Sequence, residues 1–401
     1  MNRILYISLT GMTEPLGRSQ VLEYLIDLTK KENKFYLISF ERDKDFNQIE
    51  EIKKITKKYD IEWHYFIYSN RYGIFSTINQ LFKSIKLGKK IIDKENINII
   101  HARSFIPTVM GYFIKKLTDN TKLLFDFRGF STAEKVDRGR VKKGSILYKA
   151  LLFLEEVMIK KSDALNTLTF KGKEILEREY DKRDIEVIPT CTNREIFKVL
   201  SEKDKESFKK RLGYKKEDII LIHTGTVSGW YDYAKELEVI RYLMQNDKSI
   251  KYLVLNKNET DFIHKKLEEF NIDKERVEVT SADFNEIYKY LNIANFSIFF
   301  IKPLFSKQFS APTKFAENVA CYLPSITNRG VGDMEFYLDR YKVGKLVDLE
   351  NIDYAEIFDF VNNRETYIDK KDFDELFNSY FDKKIAVEKY NNIYKRIVSE
   401  E

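Results

Sequence analysis

Short apolar runs alternate with amphipathic segments along this chain, and the alternation starts afresh past its midpoint. Runs at 4–8, 34–40, 62–68, 97–101, 123–127, 164–168 and 185–189 read as buried strands, with helix-period segments between them. After a polar, charged stretch at 190–210 the pattern resumes at Asp218. Strands are expected at 219–224, 251–255, 277–280, 296–301, 323–328 and 344–347, again separated by helices. Strand–helix alternation of this kind is the mark of parallel α/β architecture. Two consecutive series predict two Rossmann-like domains facing a cleft, over 1–190 and 200–371. The closing segment, 372–401, reads as one amphipathic helix with Phe377, Phe381, Ala386, Tyr390 and Tyr394 on its apolar side.

Length agrees with this division, since 401 residues are too many for one ordinary α/β core. With 30 Phe and 25 Tyr the cores should be rich in aromatics. The apolar run at the N-terminus is too short for a signal peptide or a membrane span and suits a first strand. Two distant cysteines, Cys191 and Cys321, suit a reducing, cytoplasmic setting. The net charge of +6 fits an anionic ligand or membrane surface without requiring either. His64, His101, His223 and His264 show no metal-ligand spacing with one another or with the cysteines, and no metal or other cofactor is expected. The chain also lacks a P-loop, a nucleophile elbow and an RNA-binding aromatic motif, so nucleic acid is not an expected partner. Without GxGxxG, a nicotinamide-dependent oxidoreductase is disfavoured.

The most informative stretch is SAPTKFAENVACYLPSITNRGVGD at 310–333. A strand leading into a helix whose first residue is Pro312 aims free N–H groups and the positive helix end at one spot, which suits a phosphate or diphosphate. Ser310, Thr313 and Lys314 stand at that start. Glu317 lies one turn deeper, where a carboxylate can accept hydrogen bonds from ribose or sugar hydroxyls. Locally, an ordinary capped helix fits equally well. Gly11, Gly17, Arg18 and Ser19 join the first strand to the first helix, where glycine lets backbone approach a ligand; a structural turn is the alternative. His101 and Arg103 end the fourth strand, and Asp126 and Arg128 end the fifth, all on the functional edge of such a sheet. His101 can equally be a packing residue, and Asp126 with Arg128 a structural ion pair. The loop EKVDRGRVKK at 134–143, with Glu134 and Arg138, precedes a helix carrying Leu147, Tyr148, Leu151, Leu152 and Phe153. It suits an anionic lipid interface or a pyrophosphate acceptor, or is a solvated loop before a core helix.

Taken together, YISLTGMTEPLGRSQVLEYL, IIHARSFIP, FDFRGF, VIPTCTN, HTGTVSGWY, FFIKP, the 310–333 stretch and AVEKYNNIY resemble the GT-B glycosyltransferases of glycosyltransferase family 4, over nearly the whole chain. The resemblance implies a retaining, metal-independent transfer of sugar from a nucleotide-sugar donor to a glycan, lipid-linked or protein acceptor, with the final helix crossing back to the first domain. It places Glu317 at the second glutamate of the E-x7-E motif, on the nucleotide ribose. It places Ser310–Lys314 at the donor sugar and phosphates, and Gly330, Val331 and Gly332 at the diphosphate. Gly11, Gly17, Gly225 and Thr226 fall on the donor side, and Arg103, Asp126, Glu134 and Arg138 on the acceptor side. Phe309 replaces the first glutamate. Thr226 and Trp230 stand where an Arg and a Lys usually clamp the diphosphate, and Arg128 stands where a histidine is common. Lys314, Lys302, Arg18 and Arg128 are the cations available to compensate, because leaving-group charge must be stabilised. The expected catalytic set is therefore Arg128, His101 and Lys314. The other reading is a non-catalytic nucleotide-sugar- or glycan-binding module, or a partner subunit of an active transferase.

Overall fold

The structure, a computed structural model, describes residues 1–42, 46–68 and 74–399. The chain divides into two compact units: Met1–Pro189 together with the segment from Lys383 onward, and Thr190–Asp382.

The sheet of the first unit is built from β1 (Asn2–Ser8), β2 (Asn33–Arg42), β3 (Glu62–Tyr68), β4 (Ile99–Arg103), β5 (Lys122–Phe127), β6 (Ala164–Thr167) and β7 (Glu186–Val187). Their order is β3-β2-β1-β4-β5-β6-β7, all parallel. Helices cover both faces of such a sheet, so its central strands read as unbroken apolar runs. Ile4, Leu5, Ile7, Ile99, Ile100, Leu123 and Leu124 are accordingly buried. Register sets Tyr6 beside His101, and Arg103 beside Asp126. β1 is flanked by β2 on one side and β4 on the other, and a ligand crevice forms outside the carboxyl ends of two such strands.

The second unit repeats the plan with β8 (Ile219–Thr224), β9 (Ile250–Leu255), β10 (Val277–Thr280), β11 (Phe296–Ile298), β12 (Ser325–Asn328) and β13 (Gly344–Val347), in the order β10-β9-β8-β11-β12-β13. Its switch point lies between β8 and β11. Phe296, Phe299, Phe300, Phe309, Phe315 and Phe360 are fully buried, as the aromatic composition implied. Truncating any one to alanine should cost about 3–5 kcal/mol.

Most strands shift by one to three residues at one or both ends from the sequence reading, and three differences bear on the architecture. The strand expected at 296–301 stops at Ile298, although Phe299, Phe300 and Ile301 stay buried. The Asn328 side chain takes over the pairing there, accepting from the Ile301 N–H and donating to the Ile301 carbonyl, each at 2.8 Å. Residues 190–199 are part of the second unit, with Phe197 in its core. The closing segment is likewise not one helix. Lys370–Leu376 runs into a wider turn at Phe377–Phe381, Asp382 is extended, and a new helix spans Lys383–Ser399. Phe377 and Phe381 belong to the second unit's core, and the Thr192 N–H holds the Phe381 carbonyl at 2.8 Å. The return to the first unit therefore begins at Lys383, eleven residues after the expected 372; residues 400–401 of that expectation lie outside the described residues. The returning helix is pinned by polar contacts. Lys383 pairs with Glu23 and Asp27, and Asn391 accepts from Asn33.

Candidate functional site

In the second unit, the chain leaving β8 turns at Gly225, whose φ of +82° favours glycine. Open space surrounds the position of a Cβ there, so backbone conformation and not crowding selects the residue. His223, just before the strand end, is fully buried. Its Nδ1 lies 2.9 Å from both carboxylate oxygens of Glu236, which also accepts from the Tyr252 hydroxyl at 2.6 Å. A carboxylate only accepts, so Nδ1 donates. Nε2 is 3.0 Å from the Thr226 carbonyl and 3.2 Å from Lys314 Nζ. A neutral ring accepts from Lys314; a protonated one donates to the carbonyl.

Lys314 is on the helix Thr313–Ala320, which has no side-chain cap. Pro312 is the residue before that helix and not its first: ψ is 119°, and its carbonyl accepts from the Phe315 N–H. The Thr313 and Lys314 N–H groups still lack intrahelical acceptors. The Lys314 ammonium sits 4.0 Å from the centre of the Tyr231 ring. Burial pushes its pKa down to about 7, against the opposing pull of Glu236, Glu317 and Glu259. One turn on, burial pushes the Glu317 carboxyl up to about 7, against the attraction of Lys314. Among the described residues no donor reaches the Glu317 carboxylate, although it keeps some exposure. A buried cation and an unoccupied acceptor thus stand one turn apart on one helix.

Around them, Gly332 donates to the Lys307 carbonyl at 2.8 Å, and Val331 is in the core, so this loop offers backbone only. Gly330 has a φ of +80°, and a Cβ on it would meet Pro303 at 2.7 Å. Lys302 is exposed and donates to the Gly229 carbonyl at 3.0 Å. Thr226 is exposed, Ser310 is half-buried, and Phe309 is sealed in the interior. Glu259 was missed by sequence reasoning. Burial alone would raise its pKa, but hydrogen bonds from the Ser228 hydroxyl, the Val227 N–H and the Asn256 amide outweigh that and lower it. It thereby ties down the loop after β8.

The carboxyl edge of the first unit holds a second cluster. Asp126, fully buried, faces Arg103 at 3.4 Å, Arg128 at 3.5 Å and His101 at 3.7 Å, and accepts from the Asn166 amide at 2.8 Å. Burial alone would raise its pKa; Arg128, the His101 contact and Arg103 together hold it far below the usual carboxylate range. His101 stands against Tyr6 and Tyr390, and its Nδ1 is 2.7 Å from the Tyr394 hydroxyl. Burial lowers its pKa. At 1% exposure His101 is enclosed by Tyr6, Tyr390, Tyr394 and Asp126, a setting that suits a positioning role. Tyr390 and Tyr394, read from sequence as apolar helix positions, supply hydroxyls to this cluster. Ser104, directly after Arg103, has φ +76° and ψ 175°. That region is nearly restricted to glycine and costs a non-glycine residue on the order of 1–3 kcal/mol.

The remaining expected residues are not brought to these clusters by any observed contact. Gly11 and Gly17 serve close packing of protein on protein, since a Cβ on Gly11 would meet the Glu41 carboxylate at 2.6 Å and one on Gly17 the Gly11 carbonyl at 1.9 Å. Glu41, another residue the sequence did not single out, accepts from the Met12 and Thr13 N–H groups and the Ser39 hydroxyl. Arg18 forms an exposed ion pair with Glu51 at 2.6 Å. Glu134 and Arg138 lie on and just after the helix Ser131–Asp137, close to Lys135. A cavity of about 350 Å³ lined by Asp163, Tyr180, Lys182 and Arg396 opens at the opposite, amino-terminal edge of the first sheet.

No protein-family model matches the chain, and no curated protein matches it in sequence. Solved structures do match along its whole length. A glycosyltransferase from Rickettsia africae superposes with a TM-score of 0.73 at 18% identity, covering 100% of this chain and 99% of the other. Sucrose-phosphate synthase from Thermosynechococcus elongatus gives 0.73 at 15%, covering both chains fully. Anabaena HepE, solved with UDP and glucose, gives 0.70 at 13%, covering 98% and 100%. At such identities the likeness establishes architecture. The chain has the GT-B fold, two Rossmann-like domains with the final helix returned to the first, as the sequence resemblance implied.

Proposed function

We propose that the protein is a glycosyltransferase that takes a sugar from a nucleotide-sugar donor. A shared fold does not fix a reaction, so the reading stands on the second-unit switch point. What carries it is the pairing of Lys314 and Glu317 on one helix face: a buried cation with first-turn N–H groups for the diphosphate, and an unoccupied carboxylate for the ribose hydroxyls. HepE, of the same fold, holds UDP and glucose, which makes UDP-sugars the first donors to try. Retention of configuration and independence from metal follow the family resemblance. Departure of the diphosphate on the face from which the acceptor hydroxyl enters, with the hydroxyl proton passing to the departing phosphate oxygen, needs no protein nucleophile. It needs charge on the leaving group neutralised, and Lys314 is positioned to do that.

The test is binding and turnover with UDP-, GDP-, ADP-, dTDP- and CMP-linked sugars. Glu317→Ala and Lys314→Ala should each weaken UDP binding or turnover at least about tenfold, the worth of one hydrogen bond to a charged group. Wild-type behaviour in both variants would remove the donor site from this helix. The second reading, a binding module without turnover, draws on Phe309, buried where a glutamate is expected, and on exposed Thr226. Nucleotide binding with no transfer and no donor hydrolysis would favour it.

The helix Ile146–Lys161 supports a membrane-linked acceptor. Ile146 is 89% exposed, Leu147 56% and Phe153 68%, directly after the exposed cations Arg138, Arg140, Lys142 and Lys143. Apolar side chains beside a basic loop match an anionic lipid surface. No helix among the described residues is long and apolar enough to cross a membrane. Co-sedimentation with phosphatidylglycerol vesicles should drop sharply on reversing these four charges; sedimentation unchanged by the reversal would sink the contact.

A further inference from the structure

The cluster at the carboxyl edge of the first sheet is unbalanced in charge. Arg103 and Arg128 share a single carboxylate, Asp126, and among the described residues no other acceptor is within hydrogen-bonding reach of either guanidinium. The groups packed around them bring no further negative charge. Burial lowers the pKa of His101 and raises those of Tyr6, Tyr390 and Tyr394, which keeps all four neutral. One positive charge is left over on side chains that are 6% exposed at Arg103 and 16% at Arg128. Two guanidiniums offer ten N–H donors, and a buried, uncompensated charge persists only when something pays for it.

Other features beside the pair have the same sense. His101 Nε2 is buried and without a hydrogen-bond partner. Immediately past Arg103, the strained Ser104 starts the twelve-residue helix Phe105–Lys116, which has no side-chain cap. The Phe105 and Ile106 N–H groups at its start lack intrahelical acceptors. Arg103 ends β4 and Arg128 directly follows β5, both on the carboxyl edge, where α/β sheets take ligands.

We propose that Arg103 and Arg128 form a binding site for an anionic group, a phosphate or a carboxylate, with Asp126 holding the two guanidiniums in place. Their remaining forks are free for bidentate contact with such oxygens. The site stands on these residues alone. Assigning its anion to a substrate rests on the transferase reading, and two sources share the chemistry: a phosphate or uronate of the acceptor, and the donor's diphosphate.

Inorganic phosphate, titrated calorimetrically into the full chain at low ionic strength, is the probe. Arg128→Gln and Arg103→Gln should each weaken phosphate binding about tenfold or more, the loss of a charged hydrogen-bond pair. Arg128→Lys, which keeps the charge and loses the fork, should lose less. Arg128 is the more exposed of the pair, so its variant carries the test if the Arg103 variant does not fold. Wild-type phosphate affinity in the folded glutamine variants, or no saturable binding by the wild type, overturns the proposal. Repeating the titration under saturating UDP separates the sources: phosphate still bound means an acceptor group, and competition means the donor's diphosphate. Phosphate binding is read without turnover, so an inactive protein that binds phosphate through these arginines would refute the transferase reading and leave the site standing.

Discussion

The two sheets end in polar clusters at their carboxyl edges, one beyond β4 and β5, the other beyond β8 and β11, and the clusters are built on opposite charge logic. In the second unit a single ammonium, Lys314, is surrounded by Glu236, Glu317 and Glu259, and both Lys314 and Glu317 are brought to about 7. In the first unit two guanidiniums crowd one carboxylate held far below its ordinary pKa. A lysine–carboxylate cluster can exchange its protons near neutral pH. A guanidinium pair cannot, because arginine stays charged throughout. The second unit is thus suited to a ligand whose binding redistributes protons, and the first to a permanent electrostatic clamp.

The sharpest way to break that contrast is to remove the central carboxylate from each cluster. Asp126→Asn leaves two buried guanidiniums with no counter-charge and should cost about 3–5 kcal/mol of stability. Glu236→Gln keeps an acceptor for the His223 Nδ1–H and should cost about 1–3 kcal/mol. Urea unfolding measures both. Phosphate in the buffer should restore part of the loss in Asp126→Asn, since a ligand that binds only the folded state stabilises it by mass action. It should stabilise Glu236→Gln no more than it stabilises the wild type, whose first-unit site that variant keeps. Equal losses, or equal rescue, would mean that the first cluster carries no excess positive charge.

Both switch points were legible in the sequence to the extent that they follow from strand ends. Placing His101, Arg103, Asp126 and Arg128 on one edge needed only the period of apolar runs and the rule that ligands sit at carboxyl ends. The helix bearing Lys314 and Glu317 announced itself through Pro312 and its spacing. What could not be read was anything set by distant pairing. His223 was discounted for lack of metal spacing, yet its partners are Glu236, thirteen residues on, and Lys314, ninety-one residues on. Tyr390 and Tyr394 scored as apolar helix positions because a period cannot show that their hydroxyls meet Asn166 and His101. Gly11 illustrates the reverse error. Its glycine is required by the buried carboxylate of Glu41, and a turn motif gives no sign of that neighbour.

The titration of the second cluster gives the finer test of the contrast. UDP binding needs Lys314 protonated, to meet the diphosphate, and Glu317 ionised, to accept from the ribose. Both groups titrate at about 7 in the free protein, so affinity should peak near that pH and fall on either side. These are properties of a coupled pair three residues apart, and the two limbs belong to the pair until one partner is removed. Lys314→Met should abolish the alkaline limb and Glu317→Gln the acid limb, with the titration of UDP itself common to all variants. Stability should follow with fixed signs. Lysine in the unfolded chain holds its proton to about 10.5, so between 7 and that pH the unfolded state binds more protons and stability rises with pH. Glu317 works the other way: between 4.5 and about 7 the folded state holds the extra proton, and stability falls as pH rises. Phosphate binding at the first cluster should show no loss of protein charge anywhere between pH 6 and 9, because arginine side chains as a class stay charged. A bell-shaped profile for phosphate at the first cluster, or a flat one for UDP at the second, would erase the distinction between clamp and proton-exchanging site.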